Sequence, residues 1–284
     1  MSIALTGATG ALGSLVVDAL LTRGTPASDI VVVVRDADRA KALADLGVGV
    51  RVASYGDVPA LVTALDGVDR LLLISGPESG ERVALHGSVV TAAQQAGVGF
   101  IAYTSAPHAD DTVLLVAPDH AATENLIRAS GLAYSILRNN WYHENYGAHL
   151  KNAEATGKLF SSAGSGRVAS ASRADYAEAA AIVLAGGDHD GRVYELSGDV
   201  AWIFADLATV MGEVLGRPVE LVQLDRESHI AALTGAGLDP HLIRFVTTLD
   251  ADIAQGALAE ATTDLSGLIG RPTTPLIEGL RPLR

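Results

Sequence analysis

The chain has 284 residues, 49% of them hydrophobic, which suits one large α/β domain with an appended lobe. A formal net charge of −13 argues against a nucleic-acid surface, because neutralising phosphates needs clustered Lys and Arg. Cysteine is absent, which removes disulfides, thiolate nucleophiles and thiolate-ligated metal sites, so any redox chemistry has to be borrowed from a cofactor.

The chain opens on a short apolar strand, Ile3-Ala4-Leu5-Thr6, followed by Gly7-Ala8-Thr9-Gly10-Ala11-Leu12-Gly13 and a helical pattern through Leu15–Leu21. Glycine is needed where the backbone turns tightly and phosphate oxygens approach its N–H groups, while the helix N-terminus supplies partial positive charge. Glycines alone are weak evidence in a chain that has 30 of them. The β-branched run Ile30–Val34 that follows completes the strand–helix–strand unit the motif requires, so Gly7, Thr9, Gly10, Ala11, Leu12 and Gly13 are expected to cradle a dinucleotide pyrophosphate. Arg35 directly after that run, where an acidic residue would bind the ribose of NAD, points to the 2′-phosphate of NADP(H). A charge-assisted contact of about 1.5–3 kcal/mol gives roughly a ten- to hundredfold preference. Arg39 and Lys41 reinforce this, and Asp36 and Asp38 weaken it.

Strands are predicted over 48–53, 70–75, 99–104 and 133–137, with helices between them and Asp57 capping a helix that begins at Val58. This alternation predicts a doubly wound parallel sheet of the Rossmann type, with ligands at the carboxyl ends of its strands. Ser75, Gly76, Thr104 and Ser105 are then expected beside the nicotinamide ribose, with ordinary strand-end capping as the alternative. Ser54 and Tyr55 stand where a carboxylate would read the adenine.

After Leu137 the rhythm breaks into Arg138-Asn139-Asn140-Trp141-Tyr142-His143, read as the start of a smaller substrate lobe. The nucleotide domain is expected over 1–138 with 167–200 returning to it, and the lobe over 139–166 and 201–284. Asn140 and Tyr142 are candidate catalytic residues, and Trp141 is a candidate stacking surface for a flat substrate. An aromatic corner that fixes the lobe is the alternative. Tyr103, His108 and His143 are candidate proton or hydrogen-bond donors to an acceptor oxygen. Gly80, Glu81 and Arg82 lie either beside the substrate or at a solvated helix start, and Asp188-His189-Asp190 reads as an exposed turn, so no metal is expected.

These motifs, with Phe100-Ile101-Ala102-Tyr103-Thr104-Ser105, Leu137-Arg138-Asn139-Asn140-Trp141-Tyr142, Ser172-Arg173-Ala174-Asp175-Tyr176 and Leu268-Ile269-Gly270-Arg271-Pro272-Thr273, resemble an NmrA-like, atypical branch of the short-chain dehydrogenases/reductases. Within it they look like the bacterial type-2 NAD(P)H:quinone oxidoreductases, and triphenylmethane dye reductases share much of the pattern. The resemblance implies hydride transfer from NADPH to a quinone or similarly conjugated acceptor. It also leaves open a dye or imine reductase, or a non-enzymatic NADP-binding redox sensor.

Four residues after the seven tyrosines stand Pro59, Pro107, Arg138, Tyr146, Leu150, Ala180 and Gly198, so the Tyr-x-x-x-Lys pair of the alcohol dehydrogenases is missing. The resemblance puts His120 and Glu124 near those slots, without assigning them that role. Reducing a ketone makes an alkoxide as basic as hydroxide, whereas reducing a quinone makes a phenolate-like anion whose acid has a pKa of about 10. A site without the Tyr/Lys acid suits the second class. No apolar stretch approaches the ~20 residues of a membrane span and no signal peptide is evident, so a cytoplasmic monomer or homodimer with a small-molecule substrate is expected.

Overall fold

The computed structural model describes residues 1–76 and 80–284. The chain divides into two compact units, the first made of 1–110, 118–139 and 173–195, the second of 111–117, 140–172 and 196–284.

The first unit runs β1 (Ile3–Thr6), α1 (Ala11–Thr22), β2 (Ile30–Val34), α2 (Lys41–Asp45), β3 (Gly49–Val52), α3 (Val58–Ala64), β4 (Arg70–Leu73), α4 (Arg82–Gln95), β5 (Phe100–Ser105), α5 (Ala117–Ala129) and β6 (Ala133–Asn139). The chain then supplies α6 (Gly147–Thr156), β7 (Lys158–Ser161) and β8 (Arg167–Val168) to the second unit, and returns with α7 (Arg173–Ala185) and β9 (Arg192–Leu196). A seven-stranded sheet results, in the order β3-β2-β1-β4-β5-β6-β9. The pairs β2/β3, β1/β2, β1/β4, β4/β5 and β5/β6 are all parallel.

Burial explains the strand composition. Ile30–Val34 is covered on both faces, so it is apolar throughout rather than alternating. Helices α1 and α7 pack together, and α7 is rich in buried alanines, among them Ala177, Ala180 and Ala181. Helices α3 and α4 pack together as well, over a core that includes Leu61, Leu65, Val89, Ala93, Ile101 and Tyr103. Asp57 caps α3, its Oδ1 accepting from the Ala60 N–H at 3.0 Å.

The second unit continues with β10 (Trp202–Ile203), α8 (Phe204–Leu215), β11 (Glu220–Gln223), α9 (Arg226–Gly235), α10 (Pro240–Ala254), α11 (Asp264–Ile269) and α12 (Leu276–Leu280). It holds two small sheets, β11/β7 parallel and β10/β8 antiparallel. The segment returning to the first unit is therefore narrower than 167–200. Val168 pairs with Trp202, and Ala171 bridges to Tyr142, which keeps 167–172 with the second unit. Among the described residues, no helix is long and apolar enough to cross a membrane.

Candidate functional site

The strand order reverses direction from β1, with β2 on one side and β4 on the other, so the carboxyl ends of these strands form the switch point where α/β sheets bind ligands. The register Leu5↔Leu72 and Leu73↔Tyr103 lines up the ends of β1, β4 and β5. Gly7, Ser75, Gly76, Ser105 and His108 therefore follow neighbouring strand ends along one edge of the sheet.

The glycine turn is built as the sequence predicts. Gly7 has φ +65°, and the Gly10 N–H donates to its carbonyl at 3.0 Å. A Cβ on Gly13 would lie 2.4 Å from the Gly7 oxygen and 2.6 Å from the Ala8 Cα, so only glycine lets α1 start this close to the loop. Helix α1 has no side-chain cap at Gly10 and no acidic residue in its first turn. Its first N–H groups, those of Ala11, Leu12 and Gly13, remain available to an anion. Gly10 and Ala11 are exposed, Thr9 is partly so, and Leu12 is turned into the core. The cradle thus fits a dinucleotide pyrophosphate, on backbone donors and a backbone path that Cβ atoms would close.

Arg35 is exposed directly after β2. Asp36 beside it turns its Oδ1 onto the Asp38 N–H at 2.9 Å, which occupies the nearest carboxylate locally. After β4, the Ser75 N–H donates to Thr104 Oγ1 at 2.9 Å, and that hydroxyl donates in turn to Ser75 Oγ at 3.3 Å. Gly76 is gripped by Arg82, whose Nε donates to the Gly76 carbonyl at 2.9 Å while its Nη1 pairs with Asp119 at 3.2 Å. Arg82 is therefore a brace at the head of α4 rather than a solvated helix start.

The helix that would carry a Tyr/Lys pair is differently equipped. His120 and Glu124 are both buried in α5. Tyr103, also fully buried, places its Oη 2.8 Å from His120 Nδ1. Burial holds the His120 imidazole neutral, with a pKa near 3, aided by the positive charge of Arg82, and burial drives the Tyr103 hydroxyl well above the usual tyrosine range. The tyrosine is then the donor and Nδ1 the acceptor. The expectation that Tyr103 donates to an acceptor is corrected here, because its hydroxyl is committed inside the core.

Glu124 accepts from Arg138 twice, Oε1 from Nε at 2.9 Å and Oε2 from Nη2 at 2.8 Å, and also from Ser105 Oγ at 2.6 Å and Arg128 Nη2 at 2.9 Å. Burial would raise its pKa, but the bonds from Arg138 and Ser105 outweigh that, and the carboxyl titrates below its usual range. Arg138 Nη1 reaches Glu195 Oε1 at 2.8 Å and Asp110 Oδ1 at 2.9 Å. Ser105 thus turns its hydroxyl inward. The sequence motif contained Arg138, but nothing local marked it as a hub, since Glu124 and Glu195 come from distant segments. The only signal was a cation directly following the apolar run Ile136-Leu137.

In the second unit, Asn140 is buried with Oδ1 accepting from the Trp141 N–H at 2.6 Å and Nδ2 donating to the Leu258 carbonyl at 3.4 Å. Its amide anchors backbone, which corrects its assignment to catalysis. His143 is buried too. Its Nε2 lies 3.0 Å from the Thr274 carbonyl, which must be receiving a proton, so Nδ1 accepts from Ser170 Oγ at 2.8 Å. With both nitrogens engaged in the core, His143 is likewise removed from the substrate-contacting residues. Trp141 and Tyr142 stay partly exposed. The aromatic corner exists beside them, as Tyr146, Trp202 and Phe204 with ring centroids 5.1–6.3 Å apart.

Comparison with known proteins agrees with this architecture. The family described as NAD(P)H-binding matches residues 7–186. Quinone oxidoreductase 2 of Escherichia coli is 46% identical over 281 residues, covering 99% of this chain and 98% of that protein. The crystal structure of an NADPH-dependent quinone oxidoreductase from Escherichia coli complexed with NADPH superposes with a TM-score of 0.95 at 46% identity, covering 99% of each chain. The triphenylmethane reductase of Citrobacter sp. complexed with NADP(H) gives a TM-score of 0.95 at 36% identity, covering 100% of each chain.

Proposed function

The chain belongs to the NAD(P)H-binding family, and from that membership and its 46% identity to a quinone oxidoreductase we propose that it reduces quinones or similarly conjugated acceptors with NADPH. The observation that carries this reading is the fate of the two α5 slots. His120 and Glu124 are buried and committed to Tyr103 and Arg138, so this helix presents no acid strong enough in position to serve a simple ketone. An acceptor that already stabilises the incoming electron pair has no such need.

Residue by residue, the Gly7–Gly13 backbone holds the pyrophosphate and Arg35 meets the 2′-phosphate. Ser75 and Gly76, steadied by Thr104 and Arg82, border the nicotinamide end. When bound, NADPH supplies the hydride. The protein's part is to bind, to orient and to keep the loops after β4 and β5 fixed, so that proximity supplies most of the rate. Trp141 and Tyr142 are assigned to stacking against a flat acceptor.

The test is NADPH oxidation with a panel of small quinones and cationic dyes. Turnover of quinones well above the buffer rate is expected. Tight NADPH binding with no acceptor reduced above background would overturn the reading in favour of a nucleotide sensor.

A further inference from the structure

Resting on the NADPH-reductase reading, we propose that Arg82 and Asp119 are the positioning pair for the nicotinamide half of the cofactor. They fix the Gly76 backbone from α5 and leave the adenosine half untouched. The strand order gives the two halves separate supports. The loop after β1 holds the pyrophosphate, and Arg35, after β2, takes the 2′-phosphate on one side of it. The nicotinamide ribose and ring are then left to the end of β4 on the other side of β1, where Ser75 and Gly76 stand.

That end is tied to the cradle directly. Thr6 Oγ1 accepts from the Ile74 N–H at 3.2 Å and donates to the Leu72 carbonyl at 3.3 Å, and a Cβ on Gly7 would stand 3.2 Å from the Ile74 Cβ. The chain is thus fixed by β1 as far as Ile74, and Thr104 on β5 takes the Ser75 N–H at 2.9 Å. Gly76 comes next and has no side chain to hold it. Its contacts lead to α4: the carbonyl accepts from Arg82 Nε at 2.9 Å, and the N–H faces His86 Nε2 at 3.5 Å, the outer limit of a hydrogen bond. Both α4 residues are held in turn by α5, Arg82 Nη1 donating to Asp119 Oδ2 at 3.2 Å and His86 Nδ1 lying 3.1 Å from Thr123 Oγ1. Arg82 and His86 are one helical turn apart, as are Asp119 and Thr123, so the contacts form two successive rungs between the helices.

The Arg82 rung is the stronger, because its bond to Gly76 is short and both of its bonds are charge-assisted. Only 12% of the Arg82 side chain is exposed. A guanidinium is a rigid fork, and with Nε on Gly76 and Nη1 on Asp119 it cannot swing away from either. A hydride is delivered only from a ring held at reacting distance, and a misplacement of about 1 Å can cost about a hundredfold in rate. The clamp therefore acts on rate and on the nicotinamide share of the binding energy, and not on the phosphates. A brace that served only the fold would weaken every ligand alike.

The test compares NADPH with 2′-phospho-ADP, which carries the adenosine half and both bridging phosphates but no nicotinamide riboside, each titrated by calorimetry. Arg82→Met keeps an apolar stem and removes both donors. Its NADPH dissociation constant is expected to rise about tenfold or more, while that for 2′-phospho-ADP stays within about twofold of wild type. With saturating NADPH and a small quinone, kcat should fall at least about tenfold. Unchanged NADPH affinity, equal weakening for both ligands, or a wild-type kcat would each overturn the assignment. Should Arg82→Met lose its thermal transition, Asp119→Asn at a side chain 38% exposed keeps the shape and removes the charge. A rise of about threefold for NADPH alone then supports the pair, and wild-type NADPH affinity or parallel loss of both ligands overturns it. Failure of the broader reading is separate: a wild type that reduces no quinone sinks that reading and leaves the binding comparison standing.

Discussion

At the scale of single residues, the sharpest constraint is steric. The Cβ of a Gly13→Ala variant would have to occupy space 2.4 Å from the Gly7 oxygen, so the loop or the start of α1 must move. Overpacking of this kind costs about 1–3 kcal/mol, and the displacement spoils the N–H array, so a lowered melting temperature and at least about a tenfold weaker NADPH affinity are expected by calorimetry. Arg35 offers the complementary test, since it is exposed. Arg35→Ser should reduce the preference for NADPH over NADH by roughly ten- to hundredfold, measured as the ratio of the two dissociation constants. His120 makes a prediction about acid. Its pKa is depressed to near 3 in the folded protein, chiefly by burial, so between that value and the unfolded value of about 6.5 the unfolded chain binds the extra proton. The contribution is therefore complete above about pH 6.5 and is lost as pH falls toward the folded value. His120→Gln should flatten the melting-temperature profile within that window.

At the scale of elements, the Glu124–Arg138 pair joins α5 to β6 and, through Glu195 and Asp110, to β9 and the loop after β5. Removing one partner of a buried pair leaves the other charge uncompensated, at a cost of about 3–5 kcal/mol. Glu124→Gln should thus lower the melting temperature markedly at neutral pH. The depressed carboxyl of Glu124 is lost as an anion only when pH drops through its folded value, so the gap between variant and wild type should close in strong acid, as followed by circular dichroism. This network also marks the limit of what the sequence conveys. The strands of the first sheet were legible because runs such as Ile30–Val34 are apolar throughout and buried, and Phe100–Ser105 begins as such a run. The glycine cradle was legible because its requirements are local. By contrast, β8 and β10 are two residues each and carry no periodicity, so 167–172 looked like part of the returning segment. Tyr103, Asn140 and His143 were misplaced for a related reason: a polar residue at a strand end can face a ligand or satisfy a distant backbone group, and only tertiary partners decide which. Arg138 had partners 14 and 57 residues away, beyond the reach of any spacing rule.

At the scale of the molecule, a net charge of −13 sets a long-range field that discriminates among acceptors before they reach any site. A cationic triphenylmethane dye is drawn toward such a protein, whereas an uncharged quinone is indifferent to it. The Debye length shrinks from about 30 Å at 0.01 M salt to about 8 Å at 0.15 M, so the attraction should fade over that interval. For the dye, kcat/KM is expected to fall several-fold between those conditions, with the loss confined to encounter and kcat preserved. For the quinone, the same ratio should change by less than about twofold. Arg35, Arg39 and Lys41 are all exposed in the segment after β2, where they outnumber the exposed Asp36 and Asp38, and they give the anionic cofactor a short-range attraction where the overall field opposes it. NADPH affinity should consequently weaken with salt more steeply in the wild type than in Arg35→Ser. Equal salt slopes for the two proteins, measured by titration calorimetry, would show that these cations do not meet the cofactor's extra phosphate.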